Sequence, residues 1–561
     1  MKFKNNIKFL VICISIIIFL LGTILTFMIP TSVKITYGLT IKTKDGTTIV
    51  FNVYEPNSNA VNKPAVIIGH GIMDSKEWMK GYAIEFATSG FVVATFDFRG
   101  HGQSGGELDF SQLINDVKAI KTYLDSRSDV NISKLGYLGF SMGGWPGNII
   151  VKNDNSFKCF IGIGTFLNIT KNDLGPNRTL NILMVQAKFD EVFSLKETTE
   201  SISKLLNKSQ SEIVPNRLYG SFKDGNASML FFDDNSDHVF LAWDQDPIRI
   251  SRDWLLNTFP DVIPIDTNFY VNIRAFFLLI QIIGGIIFFY LITDVISNFF
   301  IKVKENDIKK VEIENKSGLN LFIKLFIYSF LAGIPSMLLM IPILIFLPLP
   351  IAGATAMFLF GVIFAIIILF WRLTKKINLN FWKIFKTPFS ISKKMLLKHI
   401  TIGIISSIIL FTILYISVGL NLYGIVPSVS KYPWFPIYFS FNLFAFIILN
   451  IFFNSILQPK FNNDSFKGLL KVFLIYFTYL MIFLSFIIIT LCFIAGNNFL
   501  MMVLVIGPPY LLLIAFNSVF LFKKTGNILS SAIINSFFVT CIVCAFSPYM
   551  NPLYLLPILL L

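Results

Sequence analysis

Cysteine and histidine are scarce in this chain, and acid is scarce over its second half. Five cysteines occur in 561 residues, and only Cys159 falls within residues 31–260, so that stretch holds no internal disulfide. Cys541 and Cys544 form a Cys-x-x-Cys inside an apolar run. Redox or metal chemistry needs accessible thiolates, so packing is the expected role there. Residues 31–260 contain three histidines, His70, His101 and His238, which leaves few side chains able to carry a proton near neutral pH. Residues 261–561 hold 8 Asp and Glu against 21 Lys and Arg, and nearly all of the +14 net charge resides there. No nucleic-acid partner is expected from this excess, because the lysines sit in short loops between apolar spans, where membrane orientation accounts for them.

Apolar residues are abundant: 54% of the chain is hydrophobic and 61 residues are Phe. Runs of 18 or more apolar residues imply a polytopic membrane protein. Residues 1–30 read as an uncleaved anchor, with Lys2, Lys4 and Lys8 before an apolar run from Phe9 to Ile29, and with no small-residue cleavage site after it. Residues 31–260 read as a soluble domain, close to neutral with 23 Lys and Arg against 25 Asp and Glu. Residues 261–561 read as an all-α transmembrane domain of about eight helices. Spans are expected near 269–298, 321–345, 353–371, 400–420, 434–457, 469–494, 500–521 and 528–546, and the tail beyond Pro548 is too short to cross again. Loops 302–320, 372–399, 458–467 and 522–527 carry most of the lysines, whereas 346–352, 421–433 and 495–499 carry only Lys431. The alternation puts the N-terminus in the cytoplasm and residues 31–260 outside, at a cell membrane.

Within 31–260, short strands and helices alternate. Val33–Ile41 and Thr47–Tyr54 flank Asp45-Gly46 as a hairpin. Strands follow at Ala65–Gly69, Phe91–Phe96, Leu135–Phe140, Phe160–Gly164, Ile182–Ala187 and Ser228–Phe232. Helices are expected at Lys76–Ser89, Phe110–Ser126, Met142–Val151 and Ile248–Asn257. This order predicts an α/β fold, a mostly parallel sheet with helices on both faces, whose ligands bind beyond the C-terminal strand ends.

Gly139-Phe140-Ser141-Met142-Gly143 lies at one such end. A Gly-x-Ser-x-Gly between strand and helix makes a sharp turn that presents the serine, and its glycines are needed where a Cβ would clash. A serine hydroxyl needs a base, and the base needs an orienting carboxylate. His238, after the last strand, is the best base; Asp190, after Ile182–Ala187, is the best carboxylate, with Glu191 as the fallback. Together with Gly69-His70-Gly71 and Asp97-Phe98-Arg99-Gly100-His101-Gly102-Gln103-Ser104, this order resembles the α/β-hydrolase superfamily over residues 33–260. The resemblance implies Ser141 as nucleophile, Asp190 and His238 completing a triad, and the N–H groups of Ile72 and Met142 as the oxyanion hole. His70 and His101 are expected to hold turns, and Arg99 to anchor its loop. Trp78 and Trp145 either line an acyl pocket or pack. Asp233, Asp234 and Asp237 are expected to form a surface turn, not a metal site. About sixteen residues between Gly164 and Asn181 are too few for the helical cap that many members carry.

The implied function is a membrane-bound serine hydrolase acting on an acyl ester, a lipid or a peptide, in contact with membrane lipids and with no cofactor. The alternative is a transporter or lipid-handling membrane protein with an accessory hydrolase. Intramembrane charge would favour it, but Arg274, Asp294, Lys324 and Lys471 all fall near span ends.

Overall fold

A computed structural model describes residues 2–175, 178–302, 310–311, 317–344, 346–377, 380–461 and 465–550. Eight strands form one sheet: β1 (Val33–Lys42), β2 (Thr48–Pro56), β3 (Lys63–Gly69), β4 (Val92–Phe96), β5 (Val130–Phe140), β6 (Phe157–Ile163), β7 (Asn181–Phe189) and β8 (Ser228–Asp237). Their order is β1-β2-β4-β3-β5-β6-β7-β8. β1 pairs antiparallel with β2, and β2 antiparallel with β4; every later pairing is parallel.

Strand periodicity sorts the core into two layers. In β3, Ala65 and Ile67 face one layer, Val66 and Ile68 the other. The first layer is closed by α3 (Leu113–Asp125), α4 (Gly144–Asn153) and α5 (Leu195–Leu206), through Val117, Ile120, Ile150 and Ile202. The second is closed by α2 (Lys80–Thr88) and α6 (Gln245–Thr258), through Tyr82, Phe86, Trp254 and Leu255. The helix expected from Lys76 begins only at Lys80. Residues 76–79 form a turn instead, because the Lys76 N–H donates to Asp97 Oδ1 at 2.7 Å and its Nζ to Asp97 Oδ2 at 2.8 Å. β8 runs on to Asp237, five residues past its expected end, by staying paired with β7.

Among the described residues, nine helices are long and apolar enough to cross a membrane: Asn6–Met28, Val271–Phe300, Gly318–Ile343, Pro350–Lys375, Lys393–Gly419, Val429–Lys460, Phe466–Ala495, Phe499–Thr525 and Leu529–Phe546. They match the expected spans in number and order. The third is irregular, its regular turns interrupted by a π turn at Ser329–Gly333 and a 3₁₀ turn at Leu338–Met340. The expectation for the tail beyond Pro548 falls mostly outside the described residues. The N-terminal helix packs along Val271–Phe300 at close range: a Cβ on Gly22 would lie 2.8 Å from the Gln281 backbone, and one on Gly284 2.7 Å from Phe19 N.

The helical half touches the α/β unit at one end. Gly424 N–H donates to Ser75 Oγ at 2.9 Å, and Lys80 Nζ donates to Leu420 O at 2.9 Å and Asn421 Oδ1 at 2.8 Å. Tyr549 N–H donates to Gly100 O at 2.7 Å, and Leu108 N–H returns a bond to Tyr549 O at 2.8 Å. Met502 joins the second core layer. Asp294, which pairs with Lys8 and lies 2.8 Å from Lys524 Nζ, sits near the far end of its helix.

Candidate active site

β5 delivers Ser141 to the C-terminal edge of the sheet, and the turn there is as tight as a serine elbow requires. Ser141 has φ +49°, a left-handed conformation uncommon for a residue with a side chain. A Cβ on Gly139 would sit 2.6 Å from Gly143 O, and one on Gly143 would sit 2.4 Å from Gly69 O. These are backbone atoms on both sides, so both positions require glycine.

Asp190 follows β7 and His238 follows β8, the second and third strands from β5 on one side of the sheet. His238 Nδ1 lies 3.0 Å from each Asp190 carboxylate oxygen. Asp190 Oδ1 also accepts the N–H groups of Val192 and Phe193, each at 2.8 Å, which fixes the carboxylate before the imidazole meets it. The ring packs on Phe140, at 5.2 Å between centroids, and against Gly164, where an added Cβ would come within 3.1 Å of it. Thr165 Oγ1 donates to Ser141 O at 2.8 Å, tying the elbow to the loop beneath the histidine. No hydrogen bond joins the Ser141 hydroxyl to His238 among the described residues. Such bonds are often long until substrate binds. Glu191 Oε2 accepts the His238 backbone N–H at 3.1 Å, so the fallback carboxylate holds the loop and not the ring.

The turn carrying Ile72 is built from side-chain hydrogen bonds. His70 Nε2 accepts the Phe98 N–H at 3.1 Å, so its Nδ1 carries the proton and donates to Gly71 O at 2.7 Å. His101 Nε2 meets Ile72 O at 2.5 Å, and its Nδ1 lies 3.1 Å from Arg99 O. Burial pushes His70 down to about 4 and His101 down to about 3, so both are neutral and serve as turn-holders. The Ile72 N–H donates to no protein group among the described residues. Met142 lies within the 3₁₀ turn Ser141–Gly143 that leads into α4. Arg99 grips Asp116, with Nε and Nη2 at 2.9 and 2.7 Å from Oδ1, and reaches Asp45 at 2.8 Å, which anchors its loop.

One side chain of this site has no sequence signal. Asp74 Oδ2 accepts the Gly71 N–H at 3.0 Å. Burial raises its carboxyl to about 7, against the pull of the His238 charge and the Gly71 N–H. Trp78 is buried between Trp243 and Tyr423, whereas Trp145, four residues after Ser141 in sequence, is 41% exposed and meets Phe166 edge-on. Asp237 Oδ1 accepts the Phe240 N–H at 2.8 Å and Asp233 Oδ2 the Ser236 N–H at 3.0 Å, so two of the acids near His238 hold their own turn. Asp233, Asp244 and Asp246 bring carboxylate oxygens within 4.8 Å of one another, with Asp244 capping α6 through the Asp246 N–H at 2.9 Å.

Residues 60–216 match the family model described as serine aminopeptidase, S33. With the elbow, the strand order and this match in hand, the fold has a family. The sheet and its helices form an α/β-hydrolase domain. An Escherichia coli protein, described as an uncharacterized 31.7 kDa protein in the traX-finO intergenic region, is 22% identical over 199 residues, which is 34% of this chain and 68% of that protein. The polyketide transferase claH of Penicillium crustosum is 24% identical over 164 residues, 28% of this chain and 53% of the transferase. Among solved structures, the Pyrococcus furiosus esterase Pf2001 is 18% identical, with a TM-score of 0.32, covering 40% of this chain and 91% of the esterase. In this hydrolase domain the link between β6 and β7 contains, among its described residues, only the short turn Lys171–Asp173.

Proposed function

We propose that the protein is a membrane-bound serine hydrolase that cleaves an ester, or an amide, through an acyl-enzyme on Ser141. The observation carrying this reading is the Asp190–His238 pair, set against Phe140 of the elbow. Asp190 fixes the Nδ1–H tautomer, which leaves Nε2 as the lone-pair nitrogen able to take the serine proton. Ser141 Oγ attacks the acyl carbonyl, and His238 returns the proton to the leaving group. Water then repeats the sequence and frees the acid. The N–H groups of Ile72 and Met142 take the developing oxyanion, each worth on the order of 10²-fold in turnover. An acyl lipid, a soluble acyl ester and a peptide all fit this chemistry. Neighbouring membrane lipid favours the first.

A fluorophosphonate probe tests the assignment. Full-length protein should be labelled, and Ser141→Ala should not. Equal labelling of the two, or no labelling of the wild type, would refute it.

Placement outside the cytoplasm is supported by the ends of the spans. Residues 420–424 and 549 reach the hydrolase domain, while Lys8, Asp294 and Lys524 cluster where the basic loops begin. Protease added to intact cells should therefore cut within residues 31–260. The transport alternative has one observation in its favour, a ladder of buried amides and hydroxyls between spans: Asn442 to Thr540 at 2.9 Å, Asn450 to Ser531 at 3.1 Å and Asn535 to Ser518 at 2.9 Å. Each is paired within the protein, as helix-to-helix contacts in lipid require.

A pH profile separates the histidine's neighbours. Burial lowers the His238 pKa, but the charge and hydrogen bond of Asp190, followed by Asp74 and Glu191, outweigh it and raise it overall. The base must be neutral, so kcat/KM should rise with pH through an apparent pKa above the ordinary histidine value. Asp74→Asn removes one of the raising charges and keeps an acceptor for Gly71. The acid limb should then move to lower pH. An unmoved limb would mean that Asp74 does not act on His238.

A further inference from the structure

Three consecutive peptide carbonyls of the Ile72 turn each meet a polar side-chain atom, and the shorter of the two His101 contacts assigns its proton to Nε2. Gly71 O takes His70 Nδ1, and Ile72 O takes His101 Nε2, both from the hydrolase domain. Met73 O takes the hydroxyl of Tyr423, which lies 350 residues away in the helical half. The Gly71–Ile72 peptide carries the Ile72 N–H, so the first of these bonds aims the oxyanion donor directly, and the next two hold the peptides that follow it.

Tyr423 is itself firmly seated. It is 3% exposed and meets the Trp78 ring edge-on at 5.5 Å and 89°. The next residue approaches the same turn. Gly424 N–H bonds Ser75 Oγ, and a Cβ on Gly424 would fall 2.9 Å from Glu77 Oε2 and 3.2 Å from Ser75 Oγ, so the crossing is close. On the domain side, Lys80 at the start of α2 is 2% exposed and spends its ammonium on Leu420 O, Asn421 Oδ1 and Tyr37 Oη. An oxyanion donor acts only if it is preorganised, and small displacements of such groups cost rate steeply.

We propose that Tyr423 is a positioning residue for the oxyanion turn, so that the helical half takes part in catalysis by holding Ile72 and does more than anchor the domain. This rests on the Ser141 acyl-enzyme reading. Other hydrogen bonds also join the halves, at Gly424–Ser75, Lys80–Asn421 and Tyr549–Gly100, but the Tyr423 hydroxyl is the one that meets a carbonyl of the Ile72 turn.

The test uses full-length protein in detergent micelles, with p-nitrophenyl butyrate as substrate and competent sites counted by saturating fluorophosphonate labelling. Tyr423→Phe keeps the ring on Trp78 and removes only the donor. Its kcat per labelled site should fall about tenfold with KM within twofold, and its labelling rate should fall in parallel. Asn421→Ala breaks a contact between the halves without touching the turn, and both constants should stay within twofold of wild type. Counting sites removes any misfolded fraction from the comparison. A Tyr423→Phe protein that turns over and is labelled at wild-type rates overturns the positioning role alone. A fall in kcat shared equally by Asn421→Ala assigns the effect to general packing and overturns it too. Wild-type protein that is neither labelled nor active overturns the Ser141 reading, and this proposal with it.

Discussion

Replacing Asp190 by Asn is expected to lower kcat on the order of 10⁴-fold while leaving the fold intact. The reason lies in which atoms the carboxylate already serves. Asp190 Oδ1 accepts the N–H groups of Val192 and Phe193, so the amide oxygen of an asparagine would be held at that position and its NH₂ would face His238. Both carboxylate oxygens stand 3.0 Å from Nδ1 in the native protein. Facing an NH₂, Nδ1 becomes an acceptor and the proton moves to Nε2. That tautomer has no lone pair for the serine proton. Glu191→Gln makes the contrast, because Glu191 touches the backbone N–H of His238 and not its ring. Its kcat should stay within a few-fold of wild type. Initial rates on a p-nitrophenyl ester read both variants, and comparable losses would remove the distinction between the two carboxylates.

Much of this arrangement is legible in the sequence because it is local. The elbow advertises itself through two glycines, each two residues from the serine. The histidine and the carboxylate each follow a strand, and strand order decides which ends lie together. Span positions follow from apolar run length, since an 18-residue window is a strong signal. Contacts between distant segments have no such signature. Nothing near Tyr423 or Gly424 marks them as partners of Met73 and Ser75, and the pairing exists only because the spans bring the 420–424 crossing over the turn. Lys431 reads as a charge in an exposed loop, yet it is buried and its Nζ donates to Ala545 O at 3.3 Å. Asp74 reads as an ordinary turn acid and becomes unusual only through burial beside His238. α2 starts at Lys80 and not at Lys76 for a related reason: tertiary pairing with Asp97 holds Lys76 in a turn.

That pairing supports the second large effect. Asp97→Ala is expected to cost about 3–5 kcal/mol of stability, because it removes the nearer of two carboxylates on the buried Lys76 ammonium, which keeps only Glu77 Oε1 at 3.0 Å and Gln103 Oε1 at 2.9 Å, and it leaves two backbone N–H groups without their acceptor. Asp97 is 0% exposed and Lys76 2%. The carboxylate accepts Lys76 N–H at 2.7 Å, Lys76 Nζ at 2.8 Å and Gln103 N–H at 2.9 Å, so it joins the turn at 76–79 to the loop at 97–104. Burial opposes its charge, but Lys76, His70 and the Gln103 N–H hold its pKa below the ordinary carboxylate value. A depressed folded-state pKa contributes stability above the unfolded value of about 3.9, and that contribution is lost as pH falls through the folded one. The difference between wild type and variant should therefore be full at neutral pH and shrink only in strong acid. Thermal melting of the full-length protein, followed by tryptophan fluorescence, should show the variant's hydrolase domain melting on the order of 10 °C lower at pH 7. Asp97→Asn should lose less than Asp97→Ala, since the amide oxygen still accepts one backbone N–H. An Asp97→Ala variant that melts with wild type would mean that the two turns are held together elsewhere, through His101 and Ile72.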